Sequence, residues 1–280
     1  MSIPRRDVEF GLTSSRVPRD WCSNDPYDTT FLNALSLLFP HGERFFVDSV
    51  KQHKDQITDP ELSRAVAGFI GQEAMHGKEH RAFNELMVEH GYTQSPAIEA
   101  GLKRFLKLVR KVLSPKSQLA ATCALEHFTA MLAEALLEDE RMRNHMDPSI
   151  RPLWLWHALE ESEHKAVAFD VYKAVGGGER LRVWTMKALR YGFILGMAIQ
   201  VVISLAFDRE TYKRGKLRAS WKRFKRSPIV SRELWDQLKD YDRPDFHPDD
   251  SDTDALVEEW RAKLFGAEGA LNDKLAGSAA

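Results

Sequence analysis

Glu-x-x-His occurs twice in this chain, as Glu73-Ala74-Met75-His76 and as Glu161-Ser162-Glu163-His164. Residues three apart share one face of a helix, so each copy can aim a carboxylate oxygen and an imidazole nitrogen at one point. One copy is weak, because solvated Glu/His pairs are common on helix surfaces. Two copies in separate long helical stretches weigh far more. Bundles that hold two metal ions through carboxylates take such a pair from each of two helices and a single Glu from each of the other two. Glu43, flanked by Leu37, Leu38, Phe39 and by Phe45, Phe46, Val47, is one candidate; Glu126, inside the apolar stretch 120–135, is the other. A bare carboxylate in either place is expensive to bury. Coordination removes that cost, since four carboxylates balance two divalent ions. The expected metal ligands are therefore Glu43, Glu73, His76, Glu126, Glu161 and His164. Oxygen and nitrogen donors without thiolate favour iron, with manganese as the alternative, over a structural zinc.

Gln72 and Glu160 each precede a ligand glutamate and lie four residues before the histidine of their own helix. Either can accept the outer N–H of a metal-bound imidazole and fix its tautomer, and either reads equally well as a surface polar residue. His80 follows His76 by one turn and His157 precedes Glu161 by one turn. They are candidates for extra ligands or, with Glu160, for catalytic proton handling; the commoner fate of such histidines is a hydrogen-bonded place in the core. His127 and Glu134 keep poorer phase with Glu126. Cys123, Thr129 and Ala130, one turn either side of Glu126, read as packing or pocket lining.

The elements that must position these groups are well punctuated. A first helix is expected from 28 or 29 to 56, with Pro40 as a kink. A second begins behind Asp59 and Pro60 and stops at Gly91, a third begins behind Ser114 and Pro115 and ends near Met142, and a fourth runs from Asp147 and Pro148 to the glycines 176–178. A shorter amphipathic helix, 95–113, carries Ile98, Leu102, Phe105, Leu106 and Val109 on one side and basic residues on the other. Four long helices with a crossover between the second and third give an all-α, ferritin-like four-helix bundle with a further C-terminal helical segment.

The division expected is an N-terminal extension (1–27), the bundle (28–178), apolar and basic helices (179–226) and a C-terminal part (227–280) with a short helix at 254–265 and a frayed last dozen residues. Within it, 191–207 is a run without charge, followed by the basic stretch from Lys213 to Arg226. Together they suit a peripheral or anchored place on an anionic inner membrane, or equally a buried helix followed by a solvated one.

A net charge of −1 argues against a surface built to grip nucleic acid, and two cysteines are too few for a disulfide framework or a thiolate zinc site. No secretory signal is read in the first thirty residues, so a cytoplasmic location is expected.

These residues resemble the ferritin-like di-iron carboxylate proteins, and more closely a bacterial group labelled predicted metal-dependent hydrolases. The resemblance spans most of the chain. It rests on Phe39-Pro40-His41-Gly42-Glu43, Gly71-Gln72-Glu73-Ala74-Met75-His76, Ala124-Leu125-Glu126-His127, Trp156-His157-x-x-Glu160-Glu161-x-Glu163-His164 and Asp240-Tyr241-Asp242-Arg243-Pro244-x-Phe246-His247-Pro248. The ligand set it implies is one used for oxygen chemistry. The first expectation is thus an O2-dependent di-iron oxidoreductase acting on a hydrophobic small molecule or lipid. Its electrons come from an external donor, because no dinucleotide fingerprint or cysteine cluster is present. The alternatives are a metal-dependent hydrolase using activated water, and a metal-binding bundle without turnover; a homodimer is compatible with each.

Overall fold

The computed structural model describes residues 3–212, 216–225 and 231–277, and the fold is all-α, with two isolated backbone bridges, Val8 to Leu275 and Cys22 to Met146. Helix α1 (Pro26–Lys51) starts where the Asp25 side chain accepts from the amides of Tyr27 and Asp28. In the same way Asp59 caps α2 (Pro60–Glu89), and Ser114 caps the third long helix through the Ser117 amide. Each has proline in its first turn, where a missing N–H is no loss. The crossover α3 (Ser95–Val112) packs on α1, α2 and α4 (Pro115–Glu138).

Several ends differ from expectation. α1 stops at Lys51, and Lys54–Gln56 form a separate 3-10 turn. α4 stops at Glu138 because Asp139 becomes extended and caps α5 (Glu140–Asn144) through the Arg141 amide. Asp147 and Pro148 make a turn, not a helix start: the Asp147 carboxylate accepts from the Ser149 amide and hydroxyl, and α6 (Arg151–His164) begins afterwards with its own first-turn proline. The fourth long helix also breaks at Lys165 and Ala166 before resuming as α7 (Val167–Ala174). At the break the Lys165 ammonium turns inward to Glu134 Oε1 (3.1 Å), the Ser251 carbonyl (2.7 Å) and Thr253 Oγ1 (2.8 Å). On α3, Leu106 and Val109 pack inward, whereas Phe105 is 60% exposed and not part of the buried side.

The bundle core falls into two apolar layers. One gathers Leu35, Leu37, Phe83, Met87, Leu153 and Trp156; the other gathers Phe45, Val50, Phe69, Leu119, Phe128 and Val171. Along α1, α2 and α6–α7 the residues between these layers are Glu43, 73–80 and 160–164, so a polar slab crosses the bundle at mid-height.

Helix α8 (Glu179–Phe207) contains the uncharged run and packs on α1 and α4. Both α4 and α8 are long and apolar enough to cross a membrane; the apolar window of α4 is 72% buried, as befits a core helix, and that of α8 only 33%. Met197, Val201 and Leu205 face inward, while Trp184, Tyr191, Leu195, Val202 and Phe207 stay exposed. It is thus neither fully buried nor free. The chain continues through α9 (Lys216–Phe224), α10 (Arg232–Asp240) and α11 (Asp254–Phe265). Lys213, Arg214 and Arg226 of the basic stretch lie outside the described residues. The last dozen residues, expected to fray, are held in place as far as Gly277: Leu271 is buried, the Glu9 amide donates to the Lys274 carbonyl, and the Ala276 amide donates to the Asp7 carbonyl.

Candidate metal centre

Glu43 on α1, Glu73 and His76 on α2, Glu126 on α4, and Glu161 and His164 on α6 all point into the polar slab, and none is more than 4% exposed. Gly77 lets the Glu43 carboxylate in: a Cβ there would lie 3.3 Å from Glu43 Oε2. Nδ1 of His76 is 3.4 Å from Glu161 Oε1 and 3.8 Å from Glu73 Oε2. Nε2 of His164 is 3.4 Å from Glu73 Oε1, 3.5 Å from Glu126 Oε2 and 3.7 Å from Glu161 Oε1. Two donors each about 2.1 Å from a shared ion sit about 3.0–3.5 Å apart at ordinary coordination angles. Most of these gaps therefore have the width of an ion. Glu73 and Glu161 each reach both histidines.

The unpaired atoms test whether metal fits. Both oxygens of Glu43, Glu73 and Glu126, Oε2 of Glu161, Nδ1 of His76 and Nε2 of His164 are buried without a hydrogen-bond partner. An unsatisfied buried polar group costs about 1–3 kcal/mol, and here they are gathered in one place with lone pairs converging. Two sets, Glu43 with His76 and His157 and Glu73 with Glu161 and His164, each bring their ligand atoms within 4.8 Å of one another. The donors fit two divalent ions.

The other nitrogen of each histidine is occupied. His76 Nε2 lies 3.0 Å from Glu160 Oε2, and His164 Nδ1 lies 2.9 Å from Gln72 Oε1. Gln72 and Glu160 thus hold imidazole N–H groups, but crosswise: each serves the histidine of the opposite helix. With those outer nitrogens held, Nδ1 of His76 and Nε2 of His164 are the atoms that face inward. Outside them, Arg6 donates to Glu160 Oε1 (2.9 Å) and to both oxygens of Glu163 (2.8 and 2.7 Å). Glu163 also accepts from Gln72 Nε2 (2.7 Å) and Arg261 Nε (2.9 Å). Arg6 and Arg261 are unforeseen in the sequence, and the sole clue, Glu163 inside the second Glu-x-x-His, names no partner.

Burial raises the pKa of Glu43 and Glu126 well above the usual carboxylate range, and in both the Glu73 charge adds to it. Burial also opposes ionisation of Glu73 and Glu161, yet the neighbouring imidazoles hold both below it. His76 and His164 are pushed well above the ordinary histidine value despite burial, by Glu160, Glu161 and Glu73 for the first and by Glu161 and Glu73 for the second. Burial and the positive charge of His76 bring His157 down to about 4; burial, then His157 and His76, lower His80 as well. Two imidazoles are therefore pulled toward charge and two toward neutrality within one cluster, the divergence expected at a functional site.

His157 enters the cluster: its Nε2 is 2.9 Å from Glu161 Oε1 and 3.6 Å from Glu43 Oε1. His80 stands behind it, 2.7 Å away. Phe39 packs on both rings, Phe69 on His164 and Trp156 on His76, giving the cluster apolar walls. Cys123 donates to the Ala168 carbonyl, His127 meets the Gln237 carbonyl and Glu134 pairs with Lys165, so these three are engaged outside the cluster.

A family model described as predicted metal-dependent hydrolase matches residues 4–252. The chain belongs to this family. No curated protein and no solved structure matches it. The family description states metal dependence, and the buried carboxylate and histidine groups of this chain agree with it. The matched span includes every cluster residue and Arg6, and stops short of Arg261.

Proposed function

We propose that Glu43, Glu73, His76, Glu126, Glu161 and His164 hold two divalent metal ions and that the chain is a metal-dependent hydrolase acting on a small hydrophobic substrate. The convergence of unpaired buried donors carries the metal assignment, and the family description favours hydrolysis over the oxidase expectation. When bound, such a pair of ions supplies an activated water and polarises the group under attack. Glu73 and Glu161, each within reach of both histidines, would hold the ions together with Glu43 and Glu126. Glu160 is committed to Arg6 and His76, which makes it a positioning residue for the His76 tautomer rather than a proton shuttle.

A cavity of about 270 Å3, lined by charged Glu134, Lys165 and Arg243 as well as by Ala130, Met131 and Phe246, lies one turn along α4 from Glu126. The exposed apolar face of α8, with exposed Arg218, Lys222, Arg223 and Lys225 after it, supports a hydrophobic substrate met at an anionic membrane surface.

One observation favours a second reading, O2-dependent oxidation by a di-iron form with an external electron donor. The donors are four carboxylates and two imidazoles without thiolate, all buried from solvent. A single comparison separates the two. Turnover of an ester or phosphate panel by zinc- or manganese-loaded protein without oxygen supports hydrolysis. Oxygen uptake that requires iron and a reductant supports oxidation. Purified wild type that takes up less than one ion per chain from any of these metals refutes both.

A further inference from the structure

We infer that His157 is a third histidine ligand, binding through Nε2 the ion that Glu43 and His76 hold; this rests on the two-metal reading above. A line of hydrogen bonds whose polarity is set at its far end leads to it. Glu99 Oε1 and the Ser36 carbonyl are acceptors only, and both face the Asn84 amide nitrogen, at 2.8 and 3.3 Å. The Asn84 amide is thereby oriented, and its Oδ1 points at the Ser36 hydroxyl, 2.7 Å away. An amide oxygen cannot donate, so the single hydroxyl proton of Ser36 goes to Asn84.

Ser36 Oγ must then accept from His80 Nδ1, 2.8 Å away, which makes that nitrogen the protonated one. His80 is fully buried, with its nitrogens on a hydroxyl and another imidazole, where a cation would lack a counter-charge in contact. It is neutral, and its Nε2 is a lone pair. That lone pair accepts from His157 Nδ1–H at 2.7 Å. With Nδ1 engaged in this way, Nε2 is the nitrogen left to bind, and it faces Glu161 Oε1 and Glu43 Oε1.

The arrangement repeats what Glu160 does for His76 and Gln72 does for His164: an acceptor on the outer nitrogen turns the inner one toward the cluster. The rings of His157 and His76 stack, centroids 4.0 Å apart and 27° from parallel, and the ligand atoms of both and of Glu43 lie within 4.8 Å of one another. The centre is therefore lopsided, with two imidazoles on one ion and one on the other.

Proton NMR of the cobalt(II)-loaded full chain in water tests this. Each imidazole bound to cobalt with its other nitrogen protonated gives one hyperfine-shifted, exchangeable N–H resonance. Three are expected, from His76, His164 and His157, falling to two in His157→Gln. Two in the wild type, or three that persist in His157→Gln, overturn the third ligand while leaving the two-metal reading intact. A wild type that binds no cobalt by elemental analysis overturns the two-metal reading itself, and this inference with it.

Discussion

Replacing Glu126 by leucine should stabilise the protein when metal is withheld and destabilise it relative to wild type when metal is supplied. Glu126 is 1% exposed, and neither of its oxygens has a hydrogen-bond partner. At about 1–3 kcal/mol for each unsatisfied atom, and taking the low end because the carboxyl is protonated and its neighbours relax, leucine recovers about 2 kcal/mol. For a chain of this size that moves the melting temperature by about 4 °C upward. Wild type at a hundredfold excess of metal over its dissociation constant gains about 2.7 kcal/mol for each ion bound, and the variant forfeits the part that Glu126 secures. The two curves should therefore cross: scanning calorimetry in chelator places Glu126→Leu above wild type, and calorimetry with manganese(II) places it below. A variant less stable than wild type in chelator, or one that gains as much from metal as wild type does, would refute the reasoning.

Four further outcomes follow from the same geometry. In metal-free protein burial lifts Glu43 and Glu126 well above the ordinary carboxylate range, and neighbouring carboxylates lift His76 and His164 well above the ordinary histidine value. Stability from groups with raised folded pKa values is full below the unfolded values and lost as pH rises through the folded ones, whereas His80 and His157, held low, oppose this only below the ordinary histidine value of about 6.5; above that pH the melting temperature in chelator should fall as pH rises, and a rise there contradicts the assignment. Metal affinity should climb over the same window as ligand protons are displaced, seen as proton release in calorimetric titrations in two buffers. Gln72→Leu should weaken metal binding about 10–100-fold with little change in helix content, measured by competition with a chelator. Leu195→Glu with Val202→Glu should abolish co-sedimentation with anionic vesicles; wild type that stays in the supernatant ends the membrane reading.

What the sequence makes legible is the set of residues whose burial costs too much without a partner. Glu43 and Glu126 stand out because apolar neighbours surround them, and the two Glu-x-x-His pairs because helical spacing is local. Gln72 and Glu160 are findable by position, but not their crosswise pairing, which depends on how α2 and α6 lie against each other. The interruption after His164 leaves no trace because no glycine or proline marks it; it coincides with Lys165 reaching Glu134 and Thr253, contacts distant in sequence. Arg6 and Arg261 are invisible for the same reason, as two charged residues in charged surroundings whose shared partner is Glu163. The packed segment near Leu271 reads as a loose tail because small and polar residues dominate its composition, while its bridge to Val8 is non-local.

Because Glu163 is gripped both by Arg6, made early, and by Arg261, made late, the frame around His164 matures only after most of the polypeptide has left the ribosome. A nascent chain carrying all six carboxylate and imidazole ligands still lacks one of the two cations that steady the residue behind Gln72. Metal held as proposed at His164 would therefore be bound most firmly by the finished product.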